Sequence, residues 1–112
     1  MMTDELRVQR PVRRFDFEER EGNLIRVVIP RFGKGKIGRI MEKIALHTED
    51  KLNLDDLGSF VYRRCDGSLS VGEIATRLRE HFGDKAEPAE DRLALFIREM
   101  VKRELILFAP HE

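Results

Sequence analysis

Residues 54–83 read LDDLGSFVYRRCDGSLSVGEIATRLREHFG, and this stretch decides the fold. Asp55 is placed to cap a helix whose inward positions are Leu57, Gly58, Val61 and Cys65, and Asp66-Gly67 ends it. Ser70 and Glu73 then form a capping-box pair, in which each side chain satisfies a backbone N–H that the first helical turn leaves without a partner. The second helix that follows carries its apolar stripe on Val71, Ile74, Ala75, Leu78 and Phe82, and Gly83 closes it.

Downstream, Pro88 suits the first turn of a third helix, whose apolar face is Leu93, Phe96, Ile97, Met100 and Val101. Leu105 to Phe108 either returns as a short strand or stays as a packed tail. Upstream, Phe15 and Phe17 alternate with Arg14, Asp16 and Glu18, the period of a half-buried strand. Gly22-Asn23 supplies a turn into Leu24–Ile29, a run rich in β-branched residues that stops at Pro30, so an antiparallel hairpin is expected. Lys51 to Leu54 reads as a third strand, with Leu52 and Leu54 on one face and Lys51 and Asn53 on the other. Residues 1–11 are expected to form a loose tail. Between the hairpin and the third strand, Ile37, Ile40, Met41, Ile44 and Ala45 follow the spacing of an amphipathic helix. The sum is an α+β domain: a small N-terminal antiparallel sheet of about three strands, then three helices, in a winged helix-turn-helix arrangement.

At 112 residues the chain has the length of one domain, and its 41% hydrophobic content suffices for a core. Its 21 basic and 21 acidic residues cancel, so no global charge draws it to nucleic acid or to an anionic membrane. The cancellation hides a local asymmetry. Residues 22–47 hold Arg26, Arg31, Lys34, Lys36, Arg39 and Lys43 against Glu42 alone, a basic block in an otherwise mildly acidic chain. Cys65 is the single cysteine and the N-terminus lacks the apolar run of a signal peptide, which fits a reducing cytoplasm. Nothing approaches the roughly 20 apolar residues of a membrane span.

A search for chemistry returns no catalytic constellation, metal site or cofactor site. Gly33, Gly35 and Gly38 match G-x-G-x-x-G, but a dinucleotide site needs a parallel strand-helix-strand unit that this chain does not supply. His47, His81, His111 and Cys65 are too scattered for metal-ligand spacing, and Cys65 falls on an inward helical stripe as a small apolar residue. Asp55-Asp56 and Glu90-Asp91 stand at helix starts, where the macrodipole favours negative charge. The third helix has as much acid as base, a poor surface for phosphate.

From Leu54 to Ile106 the chain resembles the PqqD-like family, named for the pyrroloquinoline quinone biosynthesis protein D. The resemblance rests on Leu54-Asp55 and Leu57-Gly58 opening the first helix, on Cys65-Asp66-Gly67, on Val71 with Glu73-Ile74, on Phe82-Gly83 and on the apolar third helix. It departs from the pattern at Tyr62, where many relatives carry tryptophan, and at Glu104, where a glycine often precedes the final Leu-Ile. The second departure leads us to expect the third helix to run on past its usual end.

The resemblance implies a peptide-binding module and not an enzyme. Such modules hold the leader of a ribosomally made precursor peptide as an added strand and present it to a modifying enzyme, often a radical S-adenosylmethionine protein. Mapped here, the docking edge is Lys51, Leu52, Asn53 and Leu54, and the facing helix contributes Arg92, Leu95 and Glu99. Leu95 lies off the core stripe, either beside the groove or over core beneath the first helix. An unpaired strand edge offers N–H and C=O groups for this purpose, and it leaves pairing with a second copy of the chain open as well. Two other readings stand beside this one. The 31–47 segment, outside the family pattern, makes an adaptor that docks through Lys34, Lys36, Arg39 and Lys43; the third reading is a winged-helix nucleic-acid binder using the same cations.

Overall fold

Gly22 and Asn23 turn the chain as their residue types allow, both in the left-handed region at φ 74° and 65°, within a 3-10 turn over Glu21–Asn23. On either side of that turn lie β2 (Phe17–Glu19) and β3 (Ile25–Pro30), antiparallel and in register with Phe17 opposite Val27. The computed structural model describes residues 2–30 and 49–110. The glycine-rich stretch, the amphipathic helix expected over Ile37–Ala45, the cations Lys34, Lys36, Arg39 and Lys43, and both His47 and His111 lie outside the described residues.

The expected third strand is present as β4 (Glu49–Asn53), antiparallel to β3 with Leu52 opposite Val27 and Lys51 opposite Val28. Among the described residues the sheet order is β2-β3-β4, which makes β4 an edge strand there. Alternation splits its residues between two faces: Leu52 lies with the buried Val27 against the core, and Lys51 shares the outer face with Glu18 and Arg26.

The helices follow their punctuation. In α2 (Asp56–Arg63), Asp55 accepts from the Gly58 N–H at 2.8 Å; in α3 (Val71–Phe82) both halves of the Ser70–Glu73 capping box form. A 3-10 turn over Gly83–Ala86 leads to α4 (Ala89–Lys102). The core gathers where these elements meet, around Ile25, Val27, Val61, Tyr62, Ile74, Leu78, Leu93 and Ile97. With one more helix and a second sheet, described next, the fold is α+β, with two small antiparallel sheets and four α-helices among the described residues.

Three expectations need correction. The first residues are not a loose tail: Thr3 caps a helical turn, α1 (Asp4–Arg7), and Leu6 is buried in the core. After it, β1 (Pro11–Arg13) pairs with β5 (Ile106–Phe108), tying the two ends of the chain into a two-stranded sheet. Leu105 to Phe108 is thus a buried residue followed by a strand. Next, Phe96 is only partly buried, and small residues, Ala89 and Ala94, complete the core face of α4 instead. Of the two placements open to Leu95, its 69% exposure excludes the one over core.

The third concerns Glu104, where α4 does not run on. Leu105 N–H donates to the Met100 carbonyl at 2.8 Å and Glu104 N–H to Val101 at 2.9 Å, the paired bonds of a Schellman cap. Glu104 occupies the left-handed position at φ 62° that glycine usually fills in such a cap. The helix therefore stops on schedule without the glycine, and Met100 and Leu105, which the outer bond of the cap joins, are both buried.

Candidate functional site

The backbone of β4 determines what this edge offers. Leu54 N–H donates to the Ile25 carbonyl at 3.0 Å, which makes Leu54 and Ile25 a hydrogen-bonded position of the antiparallel ladder. By alternation, Leu52 also turns its backbone toward β3, and Lys51 and Asn53 turn theirs away. Among the described residues no strand pairs with that outer side.

Leu54 does not belong to the edge. It is buried, its N–H is given to β3, and its carbonyl accepts from Arg20 Nη2 at 2.5 Å and from Ser59 Oγ at 3.3 Å. The hydroxyl of Ser59 also accepts from the Ile25 N–H at 3.0 Å, so one serine closes the ladder where the strand ends. Among the described residues, the β4 backbone that faces away from β3 is therefore that of Lys51 and Asn53, with Leu52 between them directed inward.

Charge fixes the outer face of this sheet. Glu18 accepts from Arg26 Nε and from Lys51 Nζ, each at 2.9 Å, and these two cations, Lys51 first, hold its carboxyl below the usual glutamate range. Lys51 thus keeps its side chain over β2 and β3, while its backbone faces outward.

The helix side of the site is set by Gly58. A Cβ at that position would stand 3.0 Å from Phe96 Cε1 and 3.3 Å from Leu54 Cβ, so the Phe96 ring lies close against α2 where β4 ends. Phe96 is the residue that links α4 to this corner, and the sequence reading had assigned it to the core interior. The three α4 residues named from the sequence behave differently. Leu95 is exposed and apolar. Arg92 Nη1 donates to the carbonyls of Lys85 and Ala86 at 2.9 and 3.2 Å, which directs it to the turn before α4. Glu99 pairs with Arg103 at 3.3 Å within its own helix.

Among the described residues no group of His, Cys, Asp and Glu is arranged to hold a metal ion. Cys65 is buried, donates to the Val61 carbonyl at 3.3 Å, and burial pushes its thiol up to about 12. Among the same residues no helix is long and apolar enough to cross a membrane.

Sequence reasoning missed Ser59, Arg20 and the buried phenol of Tyr62, whose hydroxyl donates to the Phe15 carbonyl at 2.9 Å. A signal existed for Ser59, which lies four residues after the capping Asp55 and beside the inward Gly58. Arg20 gave none, because its partners are backbone carbonyls.

No curated protein and no solved structure matches the chain. The family model of coenzyme PQQ synthesis protein D matches residues 42–106, from before β4 to the start of β5 and more than half of the chain. The order of β4, the three helices and the Asp-Gly turn is the part that this match spans, and on that basis the chain belongs to the PqqD family.

Proposed function

We propose that this chain is a non-catalytic peptide-binding module of winged helix-turn-helix form. It takes the leader of a ribosomally made precursor peptide as an added strand beside β4 and presents it to a modifying enzyme of the radical S-adenosylmethionine type. The observation that carries this reading is the outward-facing backbone of Lys51 and Asn53 on an edge strand, in a chain that belongs to the PqqD family. Such an edge gives affinity through main-chain hydrogen bonds, and side-chain pockets beside it give choice. Leu95 and Phe96 supply apolar surface on α4, and Arg92 and Glu99 form a polar rim. Family membership ties the chain to coenzyme PQQ synthesis. We read residues 1–112 as one domain, with 31–47 as an insert in it.

The test is a calorimetric titration of the full chain with synthetic leader segments of ribosomally made precursor peptides. The expected result is saturable binding that Lys51→Pro weakens at least about tenfold, since proline removes an outward N–H without taking a bond from β3. Unchanged binding by a folded Lys51→Pro variant would reject the strand-addition mode. A second copy competing for the same edge predicts a concentration-dependent dimer that the leader dissociates.

A further inference from the structure

On the face formed by α2, α3 and the hairpin turn lies a cavity of about 290 Å³, lined among others by Leu24, Phe60, Arg64, His81 and Phe82. This is at the bottom of the range for small-molecule sites, roughly 300–1,000 Å³, and gives room for one or two side chains. Its walls combine rings with a cation. The Arg64 guanidinium carbon stands 3.4 Å from the centroid of Phe60, and the His81 ring lies 4.8 Å from the same ring. Phe82 meets both Phe60 and His81 edge-on, at 5.5 and 4.6 Å.

The cations of this face are not equivalent. Arg63 is spent: it forms a bidentate pair with Glu19 and donates to the Asn23 carbonyl. Arg64 gives one nitrogen to the Phe60 carbonyl at 2.8 Å and, among the described residues, forms no ion pair with a carboxylate, while Arg77 attracts Glu73 electrostatically. Arg77 lies one turn before His81 on α3 and repels Arg64. Burial, then Arg77 and Arg63, hold the Arg64 guanidinium below its ordinary value. A planar, pre-oriented guanidinium with free donors, like-charged neighbours and an aromatic support is suited to a carboxylate. Asp56, on the lining at the start of α2, places the one negative group there.

We propose that this cavity receives an acidic side chain carried on a partner polypeptide, with Arg64 as the carboxylate fork and the rings of Phe60 and His81 holding the adjoining apolar atoms. Charge complementarity and the one-to-two-side-chain volume select a peptide segment over a larger ligand. The site uses no residue of the β4 edge and does not depend on the leader reading.

The probe is a six-residue synthetic peptide, acetyl-Gly-Ser-Phe-Glu-Ser-Gly-amide, titrated into the ¹⁵N-labelled full chain. Expected are saturable shifts of the Phe60 and His81 amides and of the Arg64 side-chain Nε–H. The version with Gln for Glu binds at least about tenfold more weakly. Arg64→Gln abolishes the shifts. Arg77→Gln, at an exposed position with no hydrogen bond to lose, weakens binding about two- to fivefold. Absence of shifts, equal binding of the Gln peptide, equal binding by both arginine variants, or inorganic phosphate giving the same shifts with the same affinity would each overturn the proposal. The amides of Lys51 and Asn53 are read in the same spectra and report separately on the strand edge.

Discussion

The hydroxyl of Ser59 accepts a 3.0 Å hydrogen bond from the backbone N–H of Ile25, joining α2 to the central strand inside the core. The same oxygen donates to Leu54, so one buried side chain both satisfies β3 and marks where the edge strand stops. Ser59→Ala strands the Ile25 N–H away from water and is expected to lower stability by about 1–3 kcal/mol. Urea denaturation measures it, and a midpoint equal to the parent's would mean that water replaces the hydroxyl.

Glu104 holds a backbone conformation that glycine adopts without strain, at φ 62°. Its side chain makes no bond that the cap needs, because the contacts at this position run through its carbonyl and N–H. Glu104→Gly should therefore raise stability by up to about 1 kcal/mol, and Glu104→Val, β-branched, should lower it. Denaturant midpoints at constant slope decide the sign.

Phe96 and Ile97 are neighbours in sequence with different fates. Ile97 is fully buried, and Phe96, partly buried, lies close against Gly58 at the edge of the core. Ile97→Ala should cost about 2–5 kcal/mol, and Phe96→Ala about 1–2 kcal/mol. The reverse order would mean that α4 is turned about its axis from the position described.

Cys65 and Tyr62 set an alkaline limit. Burial pushes each group up to about 12, from ordinary values of 9.0 for the thiol and 10.0 for the phenol. The folded state keeps the neutral forms, so their contribution is whole below pH 9 and is lost as pH rises toward 12. Denaturation midpoints should fall across that window. A thiol reagent at neutral pH should modify Cys65 only as fast as the chain unfolds, and prompt reaction of the native protein would contradict its burial.

Much of this was legible in the sequence, for physical reasons that differ from element to element. The capping pairs Asp55 and Ser70–Glu73 act over three residues and are written locally, as are the turn at Gly22-Asn23 and the alternation in β4. The pairing of β1 with β5 was not legible, because it joins residues about a hundred positions apart and each strand is only three residues long. Phe96 was misread because it falls at helical spacing with Leu93, Ile97 and Met100, whereas Ala89 and Ala94 complete that buried face. At the candidate site, the sequence located the strand, and the ladder then separated Lys51 and Asn53 from Leu54.

The most direct test of the strand-edge account is amide hydrogen exchange of the full chain with and without a saturating leader peptide. The account predicts that the Lys51 and Asn53 amides, exchanging freely in the unbound chain, become strongly protected, while Leu52, already turned to β3, changes little. Protection that leaves Lys51 and Asn53 as they were, with binding still saturable, would contradict it.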